Sequence, residues 1–255
     1  MKSILLGIGL TSAGFVHAAT IAFQSPVTSI SDTSPLDAPL SFAGASLVQA
    51  VNFGSGTGSG AQSVVTANQT INFTAGTTTA NALSGTATEL FNTGVQGGVL
   101  LSPTTTGNTQ FDNVLESDGW HSQTTDATRP LTLQIGGLTI GQTYVISIFS
   151  ADARVASAGR TQQYFDTFSG GIFSGGSSAS FSENTNTMVL GTFTADAATQ
   201  SIFIHATDSV GTNDDTTVSG FTLYSVAAVP EPASGLLVVG VLGALILRRR
   251  KMAIL

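Results

Sequence analysis

The fold class of this chain is clearest in the stretch Leu131-Thr132-Leu133-Gln134-Ile135-Gly136-Gly137-Leu138-Thr139-Ile140-Gly141-Gln142-Thr143-Tyr144-Val145-Ile146-Ser147-Ile148-Phe149. Residues 131–135 alternate aliphatic and polar side chains, which is the pattern of a half-buried strand. Residues 144–149 are apolar on one face and partly apolar on the other, as in the centre of a sandwich. The glycines between them permit a turn with positive φ, and Leu138 and Ile140 can dip into the core. The stretch therefore predicts a β-hairpin.

The same kind of pattern recurs along the chain, where short apolar bursts are separated by Gly or Asn and do not follow helical spacing. It predicts further strands at residues 20–23, 46–53, 69–73, 99–101, 188–194, 201–205 and 218–226. The Gly-, Ser- and Phe-rich residues 165–182 are interpreted as a long loop near a sheet edge. Together these features favour one all-β domain over residues 19–228, folded as a β-sandwich.

A stacked β-helix is the alternative fold. Val51-Asn52-Phe53 and Ile71-Asn72-Phe73 stand twenty residues apart, with Gly-, Ser- and Thr-rich sequence between them. Phe91-Asn92-Thr93 retains only part of this pattern, and nothing similar follows at Phe111. Because a solenoid needs at least three copies of its repeat, the sandwich stays the preferred prediction.

The C-terminal segment has three parts in a fixed order. Val229-Pro230-Glu231-Pro232 is followed by a 15-residue apolar run, Ala233 to Leu247, and then by Arg248-Arg249-Arg250-Lys251. The run is shorter than the ~20 residues that comfortably span a bilayer, so it predicts a marginal membrane helix. Under the positive-inside rule the four cations stay in the cytoplasm, which places Pro-Glu-Pro at the outer side of the membrane.

This order of parts resembles the PEP-CTERM sorting signal of exopolysaccharide-producing Gram-negative bacteria. The resemblance covers residues 229–251 and implies recognition by an exosortase, a membrane-embedded transpeptidase-like enzyme, followed by release or transfer of the body. A plain C-terminal anchor is the alternative, since it also needs the apolar run and the cations but does not need Pro-Glu-Pro. Residues 252–255 extend beyond the basic cluster, and nothing in the pattern explains them.

The N-terminal residues 1–18 have the pattern of a secretory signal peptide. Lys2 precedes a largely apolar stretch that ends at Val16-His17-Ala18, and small residues surround the position that a signal peptidase recognises. We expect passage through the Sec translocon and cleavage after Ala18.

The body itself resembles jelly-roll, galactose-binding-like domains found in PEP-CTERM proteins. The resemblance is carried by Trp120, by Gly-Leu-Thr-x-Gly-x-x-Tyr at 137–144, by Ala-Asp-x-Arg at 151–154 and by Gly-Phe-Thr-Leu at 220–223. It implies a jelly-roll sandwich and says little about a ligand.

The amino-acid composition of the body excludes some classes of partner. Residues 19–228 contain three arginines and no lysine against fourteen acidic residues, which gives a formal charge of −11. Nucleic acids need several cationic contacts, so they are set aside as partners. The chain has no cysteine, so neither disulfides nor thiolate metal sites stabilise it.

Two polar clusters are candidate binding sites. Residues 112–121 are either a Ca²⁺ loop or sugar site, with Trp120 stacking on a pyranose, or a solvated turn before a strand with Trp120 in the core. Residues 207–215 offer four oxygen ligands for Ca²⁺, or simply form a hairpin turn: Asp208, Asn213, Asp214 and Asp215.

A third group follows a predicted strand end and contains Asp152, Arg154, Arg160 and Asp166. Arg154 is a candidate glycan contact through its bidentate guanidinium, and the alternative is a salt bridge to Asp152 or Asp166. Carboxylates for glycoside hydrolysis are available at Glu89, Glu116, Asp118 and Glu183, but no motif pairs them. The glycine-rich residues 54–60 contain no nucleophile elbow, because glycine occupies the position of the serine.

The sequence thus predicts a non-enzymatic, exported protein of the outer surface or extracellular matrix that needs no cofactor. Its expected partners are signal peptidase, the translocon, an exosortase and an exopolysaccharide, with transient anchoring in the inner membrane. A carbohydrate-binding module is the second hypothesis. A secreted glycoside hydrolase or lyase is the third.

Overall fold

The structure is a computed structural model that describes residues 19–54, 60–79, 87–91, 95–99, 105–123, 130–152, 159–206 and 214–227. Over these residues the chain is mostly β-sheet and forms an all-β sandwich of mixed sheets with two short helices. Neither of those helices combines the length and the apolar character that a membrane crossing requires.

Strands and helices are numbered in chain order. The first half of the chain contains β1 (Ala22–Phe23), a 3-10 helix (Ser34–Ser41), β2 (Ser46–Asn52), β3 (Gln62–Val65), β4 (Thr70–Ala75), β5 (Thr77–Thr79), β6 (Glu89–Phe91), β7 (Val95–Val99), the helix α1 (Thr109–Glu116) and β8 (Ser117–Gln123). The second half contains β9 (Leu131–Ile135), β10 (Thr143–Ser150), β11 (Thr161–Ser169), β12 (Ile172–Ser177), β13 (Phe181–Ser182), β14 (Thr187–Thr194), β15 (Gln200–Ala206), β16 (Asp214–Val218) and β17 (Gly220–Val226).

These strands form two large sheets and one small sheet. The first sheet has the order β1-β14-β10-β17-β2-β4-β3, and the second has the order β12-β11-β15-β9-β6-β5 with β13 paired to β11. A three-stranded sheet, β16-β8-β7, completes the fold. Among the described pairings, β2 with β4 and β5 with β6 are parallel and the others are antiparallel, so both large sheets are mixed.

The predicted hairpin over residues 131–149 is wrong, although both of its strands exist. Strand β9 lies in the second sheet between β15 and β6, whereas β10 lies in the first sheet between β14 and β17. The connection therefore crosses from one sheet to the other. Leu138 is buried in this crossover, but Ile140 is 67% exposed, so only the first of the two enters the core.

The predicted loop over residues 165–182 is also wrong, because this segment forms a hairpin. Strands β11 and β12 pair in antiparallel fashion, and β13 pairs with the start of β11. Gly170 and Gly171 make the tight turn between β11 and β12, with φ of 59° and 83°. Alternating burial along β11 shows that one of its faces packs on the core.

The two large sheets bury their inner faces against each other. This inner core includes Leu133 from β9, Ile146 from β10, Ile204 from β15 and Leu223 from β17. The outer face of the first sheet is covered as well, because Phe149 packs there with Phe111 of α1. The expectation that β10 is covered on both faces is confirmed.

Candidate functional site

The outer face of the second sheet carries a cluster of aromatic side chains, which we call the aromatic face. In β11 and β15 the inward residues Tyr164, Ile202 and Ile204 are fully buried, so the neighbouring Phe165, Phe203 and His205 point outward. The register between β11 and β12 shifts after Phe165, and the ring of Phe168 contacts that of Phe203 on the same outer face. The aromatic face consists of five side chains on three neighbouring strands: Phe165 and Phe168 on β11, Phe173 on β12, and Phe203 and His205 on β15.

The rings of the aromatic face contact one another in a continuous chain. The Phe173 ring lies 4.8 Å from that of Phe168 and 5.1 Å from that of Phe165, measured between centroids. It also stacks on His205 at 4.3 Å with an interplanar angle of 22°. Phe168 extends the chain to Phe203 at 5.8 Å. Phe173 therefore contacts three of the other four rings and is the central residue of the cluster.

All five rings are only partly buried, and none of them belongs to the apolar cores of the described residues. Phe165 pairs with Phe203 and Phe168 pairs with Phe173, and the remaining paired positions are neutral and polar. Thr132 stands opposite Phe203, Gln163 opposite His205, and Ser177 opposite Phe165. Thr132 is buried, so the accessible polar groups beside the rings are the amide of Gln163 and the hydroxyl of Ser177.

A second polar feature lies inside the sandwich, where Gln162 joins three strands from three sheets. Its Nε2 donates to Ser150 Oγ on β10 at 2.9 Å and to the Thr217 carbonyl on β16 at 3.0 Å. Its Oε1 accepts from the Thr217 backbone N–H at 3.0 Å, and the two hydroxyls of Ser150 and Thr217 lie 2.7 Å apart. Because Gln162 is fully buried, these bonds hold the sheets together.

Arg160 and Asp215 form a buried ion pair beside this network. Arg160 Nη1 donates to Asp215 Oδ2 at 2.8 Å, and the two side chains are 8% and 7% exposed. Arg160 therefore pairs with Asp215, although Asp152 and Asp166 are closer to it in the sequence. Asp215 was one of four candidate Ca²⁺ ligands, and here its carboxylate holds β16 to the start of β11.

Tyr164, Glu183 and Asp118 are buried close together in the same region. Burial raises the pKa of the Tyr164 hydroxyl, and the nearby carboxyl groups of Glu183 and Asp118 raise it further. Asp118 Oδ1 accepts a hydrogen bond from Ser219 Oγ, which also donates to the Leu115 carbonyl at 3.0 Å. Asp118 and Glu183 thus lie inside the sandwich and not across an open cleft.

Asp166 fixes one edge of the sandwich. Its Oδ2 accepts from the backbone N–H of Ile21 at 2.8 Å and from that of Gly176 at 2.9 Å. It is 1% exposed and connects the segment before β1 to β12. This contact gives Asp166 a structural role.

The predicted cluster at residues 112–121 is a helix followed by a strand. Asn108 caps α1 by accepting from the Phe111 N–H at 3.0 Å, and Asp112 accepts from the Thr106 N–H at 2.7 Å. Trp120 lies in β8, paired with Thr217 and Gln96, and is partly exposed. Among the residues that the structure describes, no group of three His, Cys, Asp or Glu side chains is arranged to hold a metal ion.

Several predicted site residues lie outside the described residues. These are the signal peptide with Ala18, the tail from Val229 to Lys251, and Arg154, Asp208 and Asn213. For Asp214 the structure describes the backbone, which pairs with Gln123. The Ca²⁺ site over Asp208, Asn213, Asp214 and Asp215 therefore stays a prediction.

A cleft of about 430 Å³ is lined by residues of β2 and β4, which pair only at Val51 with Thr74 and at Asn52 with Ala75. Gln49 crosses it, donating to the Gly136 carbonyl at 2.9 Å and accepting from Thr88 Oγ1 at 3.2 Å. Its other polar lining includes Asn72, Thr74 and Thr77, so its side chains are uncharged. No aromatic side chain lines it among the residues that the structure describes.

Sequence reasoning missed the aromatic face. Its one available signal was the recurrence of phenylalanine within Gly- and Ser-rich residues 165–182, which a plain linker does not need. Comparison with protein-family models, curated proteins and solved structures finds no match to this chain.

Proposed function

We propose that this chain is an exported, non-enzymatic component of the cell envelope or extracellular matrix, delivered there by a PEP-CTERM and exosortase system. The body would be a jelly-roll type of β-sandwich that leaves the inner membrane when its tail is processed. Signal peptidase, the Sec translocon and the exosortase are its partners on this route, and an exopolysaccharide is its partner at the destination.

The observation that carries this proposal is the order of parts in the tail. Pro230-Glu231-Pro232, a short apolar run and four cations occur together, and a signal peptide pattern stands at the other end of the chain. The run is short for a permanent anchor, which favours a segment that is removed. The fold of the body agrees with a cargo domain, since both of its large sheets belong to one sandwich.

The positions of the carboxylates support a non-enzymatic body. Asp166 accepts two backbone hydrogen bonds, Asp215 pairs with Arg160, and Asp118 accepts from Ser219. A hydrolase needs two carboxyl groups that face a substrate across a cleft. These carboxylates instead serve contacts within the fold.

Two variants of the full chain, expressed in a Gram-negative host that contains an exosortase, test the sorting route. Deleting residues 230–251 should leave the body folded but prevent its sorting. Replacing Pro230, Glu231 and Pro232 together by alanine keeps the apolar run and the cations, and should leave an unprocessed chain in the membrane. Immunoblots of membrane, surface and medium fractions measure both outcomes. Processing of the triple-alanine variant at the native rate would favour a plain anchor and overturn the proposal.

A carbohydrate-binding module is the second candidate function. The observation that favours it is the aromatic face, a site different from the Trp120 and Arg154 contacts expected from the sequence. Trp120 lies in the small sheet β16-β8-β7, whereas the aromatic face lies on the outer side of the second sheet.

A further inference from the structure

We infer that the aromatic face is a binding site for a neutral polysaccharide, whose pyranose rings stack on the phenylalanine rings. This inference rests on the second candidate function, for which it names the class of polymer, and its test is independent of the sorting route. Phe173 would be its central residue, and Phe168, Phe203 and His205 would extend the platform across the three strands β12, β11 and β15.

The first reason is that the core of the sandwich does not require the rings of the aromatic face. The inner face of the second sheet already supplies its share of the core through Leu131, Leu133, Tyr164, Ile202 and Ile204. Outward positions of a solvent-facing sheet are usually polar. The four phenylalanines lie on adjacent strands and are each only partly buried, so part of their joined apolar surface stays accessible, as at interaction sites.

The second reason is the shape and chemistry of the surface. Ring centroids lie 4.3 to 5.8 Å apart along the path His205-Phe173-Phe168-Phe203, so the rings form a platform without a gap. A pyranose offers one face of C–H groups to a ring and a periphery of hydroxyls to hydrogen-bonding groups. The outward neighbours Gln163, Ser177 and Ser201 supply such groups beside the rings.

The third reason is charge, which selects the class of occupant. The body carries three arginines, no lysine and fourteen acidic residues, a formal charge of −11. Like charges repel, so an acidic polymer and a second copy of the body are both disfavoured on this surface. The outward residues paired with the platform are neutral, which leaves an uncharged polymer as the matching partner.

Affinity electrophoresis of the full chain, purified in mild detergent, tests this binding. The gels contain a soluble neutral β-glucan, galactan or mannan, or a polyuronate as the acidic counterpart. We expect retardation by at least one neutral polymer and none by the polyuronate. Phe173→Ala should weaken binding at least about tenfold, the size expected when a central aromatic residue of an interface is lost. Phe173→Leu keeps the apolar bulk without the ring, and should weaken binding while the protein stays folded.

Ile172→Ala is the matched control. Ile172 is adjacent to Phe173 in β12 and is 68% exposed, yet it lies on the other face of the strand. Its replacement should leave retardation unchanged. The inference is overturned if no neutral polymer retards the folded protein, if the polyuronate retards it equally, or if Phe173→Leu binds normally. It is also overturned if light scattering shows that the face instead joins two copies, in a dimer that Phe173→Ala dissociates.

Discussion

Helix α1 and the 3-10 helix close the outer face of the first sheet, whereas the outer face of the second sheet leaves its rings partly exposed. On the first sheet Phe149 is fully buried, with its ring 5.6 Å from that of Phe111 and 6.5 Å from that of Phe73. On the second sheet Phe203 lies 5.8 Å from Phe168 but remains partly exposed. The ring-to-ring distances are therefore similar on the two faces.

This similarity separates two uses of phenylalanine. A covering helix turns clustered rings into a core, and their burial then stabilises the fold. Without a cover the same clustering preserves contacts between rings but leaves surface available for a partner. Coverage, rather than residue type, decides which of these two roles a ring has in this protein.

The largest effect should come from replacing one ring on each face. Phe149→Ala removes a fully buried ring and leaves a cavity, so we expect the free energy of unfolding to fall by about 3–5 kcal/mol. Phe203→Ala removes a partly exposed ring, and we expect a fall of about 1 kcal/mol. Urea denaturation followed by circular dichroism measures both values. Equal losses for the two variants would mean that the aromatic face is a core, and the comparison would fail.

The sequence predicted the outer face of the first sheet better than it predicted the aromatic face. Alternation predicted β9 with the bounds Leu131–Ile135 that the structure has. Its prediction of a half-buried strand is wrong, because Thr132 and Gln134 are buried as well. The apolar character of residues 144–149 also predicted that both faces of β10 are covered. Local patterns therefore located both strands, but they predicted the surroundings correctly only for β10.

Such local patterns could not predict which strands pair with each other. The predicted hairpin joined β9 to β10 because neighbours in sequence often pair, yet β10 pairs with β14 and β17 from later in the chain. Residues 165–182 looked like a loop because glycine and serine are poor strand formers, whereas the turn at Gly170 and Gly171 requires glycine. The aromatic face was missed for this reason.

A second, smaller effect tests how the small sheet β16-β8-β7 is joined to the second sheet. Arg160→Met leaves the Asp215 carboxylate buried without its cation, and we expect a loss of about 3 kcal/mol. The double variant Arg160→Met with Asp215→Leu removes both charges and should recover most of that loss. Urea denaturation at several salt concentrations measures it, and the single-variant loss should change little with salt, because a buried pair is poorly screened.

The contrary result would be a loss below about 1 kcal/mol, the range of exposed salt bridges. Such a value would mean that water reaches the pair and that the contact between the small sheet and the second sheet is open at this end. Sequence offered no signal for the pair, since its members are 55 residues apart and Arg160 has closer acidic neighbours in the chain.

The smallest effect concerns Tyr224, whose ring lies on the covered face with Val145 and Leu190. Its hydroxyl donates to Gln69 Oε1 at 3.0 Å, and burial raises its pKa to about 12. Tyr224→Phe should cost about 1 kcal/mol at neutral pH, the value of one hydrogen bond. Because the folded-state pKa lies above the usual value near 10, the stabilisation is complete below pH 10 and is lost as the pH rises toward 12.

Absorbance at 295 nm, compared between the native protein and Tyr224→Phe, isolates this titration. The step that the variant lacks should have its midpoint well above pH 10, and the two stability curves should converge between pH 10 and 12. A missing step centred near pH 10 would show that solvent reaches the Tyr224 hydroxyl, and hence that the outer face of the first sheet is open. The titration of the Tyr224 hydroxyl thus reports whether the outer face of the first sheet is covered, which is how it differs from the aromatic face. It does so without removing a packed ring.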